Sequence, residues 1–186
     1  MRNGQTSVRV VVMLGLLAAS AAGTGTARPD GPPPTAIRES TAAERLSAQE
    51  EQLRTTLAQT AAVVVRSDNS LELWYPVRLA FVPDGNELLP TGTALLDLLA
   101  RSLREYTHSG VVVAVYTDAI GSSDYNQTQS QARATVLVEE LEARGVAAER
   151  LVARGMGESA QLEAPKTPEG RDLNRRIQFV ITPLSS

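Results

Sequence analysis

The chain reads as an α/β two-layer sandwich of βαβαβ type, a mixed sheet with helices on one face, preceded by an N-terminal helical segment. Three observations lead there. Two β-rich runs, 63–65 and 71–74, flank the turn residues Ser67-Asp68-Asn69-Ser70, which is hairpin chemistry. An apolar run at 111–115 passes through a Gly-Ser turn into a long helical pattern and then a short strand at 151–153. A last β-rich run, 177–181, is stopped by Pro183.

Residues 1–27 look like a targeting segment. Arg2 and Arg9 give it a positive start, Val10 to Ala22 is apolar or small throughout, and small residues follow, with cleavage expected after Ala22 or Ala27. The run is short for a membrane span of about 20 residues, and an uncleaved N-terminal anchor is the alternative. Residues 28–60 form a spacer, proline-rich at Pro32-Pro33-Pro34 and then helical from about 37 to 60. Leu46, Leu53 and Leu57 make a narrow stripe on that helix, read as a solvated stalk or a helix lying on the domain.

The domain itself is expected over 61–186 and expected to fold without the spacer. After the hairpin, Leu79-Ala80-Phe81 should end the first strand region, and Asp84-Gly85-Asn86 should turn the chain into a helix over 91–106. Leu95, Leu96, Leu98, Leu99 and Leu103 form that helix's core face. Run 111–115 is apolar at every position, as a strand covered on both faces would be. The next helix is expected over 124–144, with Asp124 as N-cap, Ala134, Leu137 and Leu141 inward, and Gly145 just past its end. Strands 111–115 and 151–153 should be parallel, because a full helix joins them. Residues 155–170 read as a loop.

Composition excludes several functions. A formal charge of −3 gives no electrostatic case for nucleic acid. The chain has no cysteine, hence no lipoprotein box, disulfide or thiolate metal site. Lys166 is the only lysine, and Ser-x-x-Lys chemistry has no material. The only histidine, His108, sits at a helix end, where it suits the dipole better than catalysis. Gly155-Met156-Gly157-Glu158-Ser159-Ala160 fits a dinucleotide fingerprint in letters only, since Pro165 stops the helix that should follow. No enzyme, metal or cofactor is expected.

Asp118 ends the 111–117 strand region, and Arg133 lies fifteen residues on, in the following helix. The carboxyl ends of strands in α/β sheets are where ligand crevices open. On residue chemistry alone the pair is either an intramolecular salt bridge closing the loop or two walls for a zwitterion, with Asp118 taking an ammonium and Arg133 a carboxylate. Thr117 could add a hydroxyl, and Asn126 should brace the loop. Of Arg175 and Arg176, strand alternation lets one point inward.

Thr117-Asp118, Gly121-Ser122, Tyr125-Asn126, Ser130-Gln131-Ala132-Arg133-Ala134 and Asn174-Arg175-Arg176 occur in the order and spacing of one family. Over about 63–182 the chain resembles the OmpA-like C-terminal domain, the peptidoglycan-binding module of outer-membrane protein A, peptidoglycan-associated lipoprotein and MotB. The resemblance implies a periplasmic, non-enzymatic protein whose partner is peptidoglycan, held by the diaminopimelate of its stem peptide. It implies that Asp118 and Arg133 grip the amino-acid end, with Arg175 near the ligand and Asp84 and Asn86 in a loop that brings backbone amides to its carboxylate. The family's Gly-His before Thr-Asp is Val115-Tyr116 here, so Tyr116 would replace the histidine's contact without its charge. Restoring histidine at 116 is expected to leave binding unchanged or tighten it. The alternative is the same fold serving a protein partner in an envelope regulatory or secretion complex, with Tyr116 and segment 37–60 as its clues.

Overall fold

The structure is a computed structural model describing residues 41–162 and 167–184; the leader-like segment 1–27 and the proline-rich stretch lie outside the described residues. The elements are α1 (Ala42–Thr56), β1 (Val63–Ser67), β2 (Ser70–Pro76), α2 (Val77–Ala80), α3 (Pro90–Glu105), β3 (Ser109–Tyr116), α4 (Ser123–Ala143), β4 (Leu151–Gly157), α5 (Pro168–Asn174) and β5 (Arg176–Pro183). The strands form one five-stranded sheet in the order β1-β2-β5-β3-β4. Pairing is antiparallel throughout except for β3 with β4, the pair joined by α4.

Period-two alternation sets the core. Leu73 of β2 lies opposite Phe179 of β5, which lies opposite Val113 of β3, and all three are fully buried. Leu71, Val111, Val115, Ile177 and Ile181 continue that face and join the α3 leucines and Ala134, Leu137 and Leu141 of α4 in one apolar cluster. The intervening positions Glu72, Trp74, Val112, Gln178 and Val180 are only half-buried. The outer face of β3 is thus only partly covered, with Ala114 buried but Val112 half-exposed. Its outward valine lies on an open side of the sheet, where β-branched residues still suit a pleated surface.

Several expectations are corrected. Leu79-Ala80 does not extend a strand: Pro76 ends β2 and caps the single helical turn α2, after which Phe81 bridges back to Leu88. The N-cap of α4 is Ser122, whose hydroxyl accepts from the Tyr125 amide, not Asp124. β4 runs on past Ala153 to Gly157, through Gly155-Met156-Gly157, which reads as loop in sequence. A Cβ at Gly155 would overlap the Gln131 backbone, so the glycine is there to let α4 lie directly on the strand. Residues 168–174, of which 168–170 read as loop in sequence, are helical.

The largest correction concerns α1. Thr41 and Glu44 form a capping box that starts the helix. Leu46, Leu53 and Leu57 are then buried in the same cluster as the sheet, and Arg66 of β1 pairs with Glu50 at 3.3 Å. Among the described residues, α1 belongs to the same core as the sheet. A narrow stripe suffices because each leucine is at most 3% exposed. Arg150 supplies a second unforeseen tie, donating to the Leu103, Tyr106 and Ser109 carbonyls at 2.7–2.8 Å and so closing the end of α3 onto β3.

Because Leu53 is wholly buried, Leu53→Ala should lower unfolding free energy by about 2–5 kcal/mol in urea titrations. Removal of residues 1–60 should lower it further. A truncated chain as stable as the parent would mean that α1 only rests on the surface.

Candidate functional site

The end of β3, the turn after it and the start of α4 are one continuous piece. The Thr117 amide donates to the Gly157 carbonyl at 2.8 Å, which keeps Thr117 and Asp118 aligned with β4 beyond the last strand pair. Gly121 takes a φ of +97°, and the turn delivers the chain to the Ser122 cap. Asn126 braces this turn as expected, donating to the Asp118 carbonyl at 3.4 Å and to Glu158 at 3.0 Å.

Asp118 is 6% exposed. Its Oδ1 accepts from the Ile120 amide at 3.3 Å. Its Oδ2 is buried without a hydrogen bond, and so is the Thr117 hydroxyl. Arg175 approaches with Nη1 at 3.7 Å from Oδ2, an ion pair too long to be a hydrogen bond. Arg175 is itself held by Asp172 at 2.6 Å, and Asp172 also faces Arg78 at 3.4 Å.

Arg133, also 6% exposed, projects from the third turn of α4. Its Nε donates to the Gly85 carbonyl at 2.9 Å, and its guanidinium lies 5.5 Å from the centroid of the Phe81 ring. Burial pushes its pKa down from the ordinary arginine value, with Tyr125 and Asp84 working in the other direction and Arg175 with it. The terminal nitrogens make no hydrogen bond among the described residues, and Arg133 forms no ion pair with Asp118 there. The simple salt bridge that sequence chemistry allowed is absent.

Both side chains line one cleft of about 530 Å³, with Thr117, Asp84 and Arg175. Asp84 holds a φ of +54°, a left-handed conformation that Asp tolerates better than most residues. That conformation turns the loop so that the Gly85 carbonyl meets Arg133. Five of the seven candidate residues thus share the cleft. Asn86 does not; it lines a shallow neighbouring depression with Gly85 and Tyr125. Nor does Tyr116, whose ring lies on the Arg176 guanidinium, 3.7 Å to the centroid. Strand alternation sends Tyr116 to the opposite face from Val115, away from the cleft. Arg78, Phe81, Tyr125 and Gln129 also line the cleft and were missed. Arg78 and Phe81 reach it through the helical turn α2, which local composition hid.

A cleft with one buried, unsatisfied carboxylate oxygen and one buried guanidinium can bind a small zwitterion. Each buried charge lacks a full partner, and a ligand that supplies both partners offsets two desolvation costs together.

Comparison with known proteins matches this arrangement to a family. The sequence pattern of the OmpA family matches residues 80–175, which carry every cleft residue named above except Arg78. The "Probable lipoprotein YiaD" of Escherichia coli is 33% identical over 139 residues, covering 75% of this chain and 64% of that one. The "Peptidoglycan-binding protein ArfA" of Mycobacterium tuberculosis is 35% identical over 103 residues, 55% of this chain and 32% of its own. The chain thus spans less than two thirds of the length of either relative. Among solved structures, a putative MotB-like protein from Desulfovibrio vulgaris superposes with a TM-score of 0.67 at 23% identity, covering 76% of this chain and 98% of that one, a likeness of fold. With more than half its length matched by that pattern, the chain belongs to the OmpA family.

Proposed function

We propose that this chain is a non-enzymatic envelope module that binds peptidoglycan non-covalently in the periplasm, through the diaminopimelate of the stem peptide, with residues 1–27 directing its export. The observation that carries the reading is a pair of buried opposite charges in one cleft that do not pair with each other, with Asp118 Oδ2 left without a hydrogen bond. The far end of diaminopimelate is an amino-acid centre, an ammonium and a carboxylate on one carbon. Asp118 Oδ2 takes the ammonium, and the Thr117 hydroxyl, also unpartnered, adds an acceptor beside it. Arg133 takes the carboxylate through its terminal nitrogens, with Nε already committed to Gly85 so that the fork is held still. Arg175 fixes the Asp118 carboxylate from one side without satisfying it. The relative from Mycobacterium tuberculosis carries peptidoglycan binding in its name, which supports the same assignment.

Removing either charge strands its partner. Asp118→Ala and Arg133→Ala should each weaken retention on purified sacculi by about 2–5 kcal/mol, roughly thirty- to several-thousand-fold, with melting behaviour kept. Free diaminopimelate should compete with the parent. If both variants bind sacculi like the parent, the cleft is not the binding site. If the parent is not retained at all, the reading of the site as a protein-partner surface takes over.

Ligand identity gives a second prediction. Sacculi whose stem peptides carry lysine keep the ammonium but lack the carboxylate that Arg133 needs. They should bind at least about thirty-fold more weakly than diaminopimelate sacculi, since a buried guanidinium is then left unpaired. Equal retention of the two would remove Arg133 from recognition.

A further inference from the structure

On the outer face of the sheet another arginine is buried with no carboxylate partner among the described residues. Arg176 is 6% exposed, and its guanidinium lies between two aromatic rings, 3.7 Å from the centroid of Tyr116 and 5.5 Å from that of Trp74. Its Nη1 donates to the Ala160 carbonyl at 3.1 Å and the Asn174 carbonyl at 3.4 Å, and its Nε is buried without a partner. Trp74 is itself fixed, since its Nε1 donates to Glu72, which also accepts from Gln178.

These contacts join the pieces of chain that carry Asp118 and Arg175. Tyr116 precedes Thr117 and Asp118 by one and two residues. Asn174 and Arg176 flank Arg175, the residue that faces Asp118. Ala160 belongs to the loop after β4, where Gln161 donates to the Thr117 carbonyl at 3.2 Å and the Leu162 amide donates to Asn174 Oδ1 at 2.8 Å. One guanidinium, gripped by Tyr116 and Trp74, thus ties β3, β5 and the loop after β4 at the level of the site.

We infer that Arg176, clamped between Tyr116 and Trp74, is a positioning residue that holds Asp118 and Arg175 in register for the ligand from the far side of the sheet. The inference rests on the proposed function for its ligand, though not for the clamp itself. It gives Tyr116 a role in this chain: its aromatic face attracts the guanidinium.

The test uses the full chain with two readouts. In amide hydrogen exchange without ligand, Arg176→Lys and Tyr116→Ala should speed exchange of the Thr117 and Leu162 amides by about ten-fold or more while α3 stays protected. On diaminopimelate sacculi the same variants should bind about ten- to a hundred-fold more weakly at near-parental melting temperature. Tyr116→Phe, which restores the ring alone, should recover parental binding. If Arg176→Lys does not fold, the Tyr116→Ala and Tyr116→Phe pair decides. Parental exchange at Thr117 and Leu162 overturns the clamp. Faster exchange with parental binding overturns the positioning role, and a Phe variant as weak as the Ala variant overturns the role of the ring. Failure of the parent itself to bind sacculi refutes the proposed ligand instead, and exchange then judges the clamp alone.

Discussion

Two opposite charges buried a short way under one surface, and kept from meeting, are the constraint on which this structure turns. Asp118 and Arg133 would relieve much of each other's desolvation by pairing. The fold prevents it by committing each elsewhere: Asp118 to the Ile120 amide and the distant Arg175, Arg133 to the Gly85 carbonyl and the Phe81 ring. Each commitment is incomplete. A carboxylate oxygen and the outer nitrogens of a guanidinium remain facing the cleft, at an energetic cost that the rest of the domain must cover.

The core supplies that margin and the stiffness to use it. Leucines from α1 and α3, the inward faces of β2, β3 and β5, and the core face of α4 make one cluster, so strand and helix that carry the two charges cannot shift independently. Gly155 brings α4 against β4 at a distance no other residue allows, and Gln127 and Gln131 side chains bond the Gly155 backbone across that contact. Ser130 does the same for the Gly157 amide. Arg133 thereby sits on a helix fastened to the strand beside Asp118. Preorganisation of this kind converts binding energy into affinity instead of spending it on ordering the site.

What was legible in the sequence was local chemistry. An apolar run into Thr-Asp, a glycine turn and a serine cap specify strand, turn and helix within about thirty residues, and Asp118 and Arg133 fall on them in the only way the periods allow. Parallel β3–β4 pairing followed from the helix between them. What was hidden depended on distant partners. Leu46, Leu53 and Leu57 looked too sparse for a core because their burial is decided by β1, β2 and α3. Leu79-Ala80-Phe81 is too short for its period to show. Gly155 and Gly157 read as loop because glycine's low strand preference is outweighed by the close approach of α4. Arg150 and Arg176, two buried arginines bonded to backbone carbonyls, carry no local signal, and Tyr116 reads as a ligand contact because it stands where the family has histidine, while its partner Arg176 lies on another strand.

The central claim is that the cleft recognises an amino-acid centre by its two charges at once. The most direct measurement is a crystal structure of the chain with diaminopimelate bound. The account predicts the ammonium within hydrogen-bonding distance of Asp118 Oδ2 and the carboxylate across the terminal nitrogens of Arg133, with both side chains close to their unliganded positions. A ligand seated elsewhere, or one that draws Asp118 and Arg133 into a direct salt bridge with each other, would contradict it.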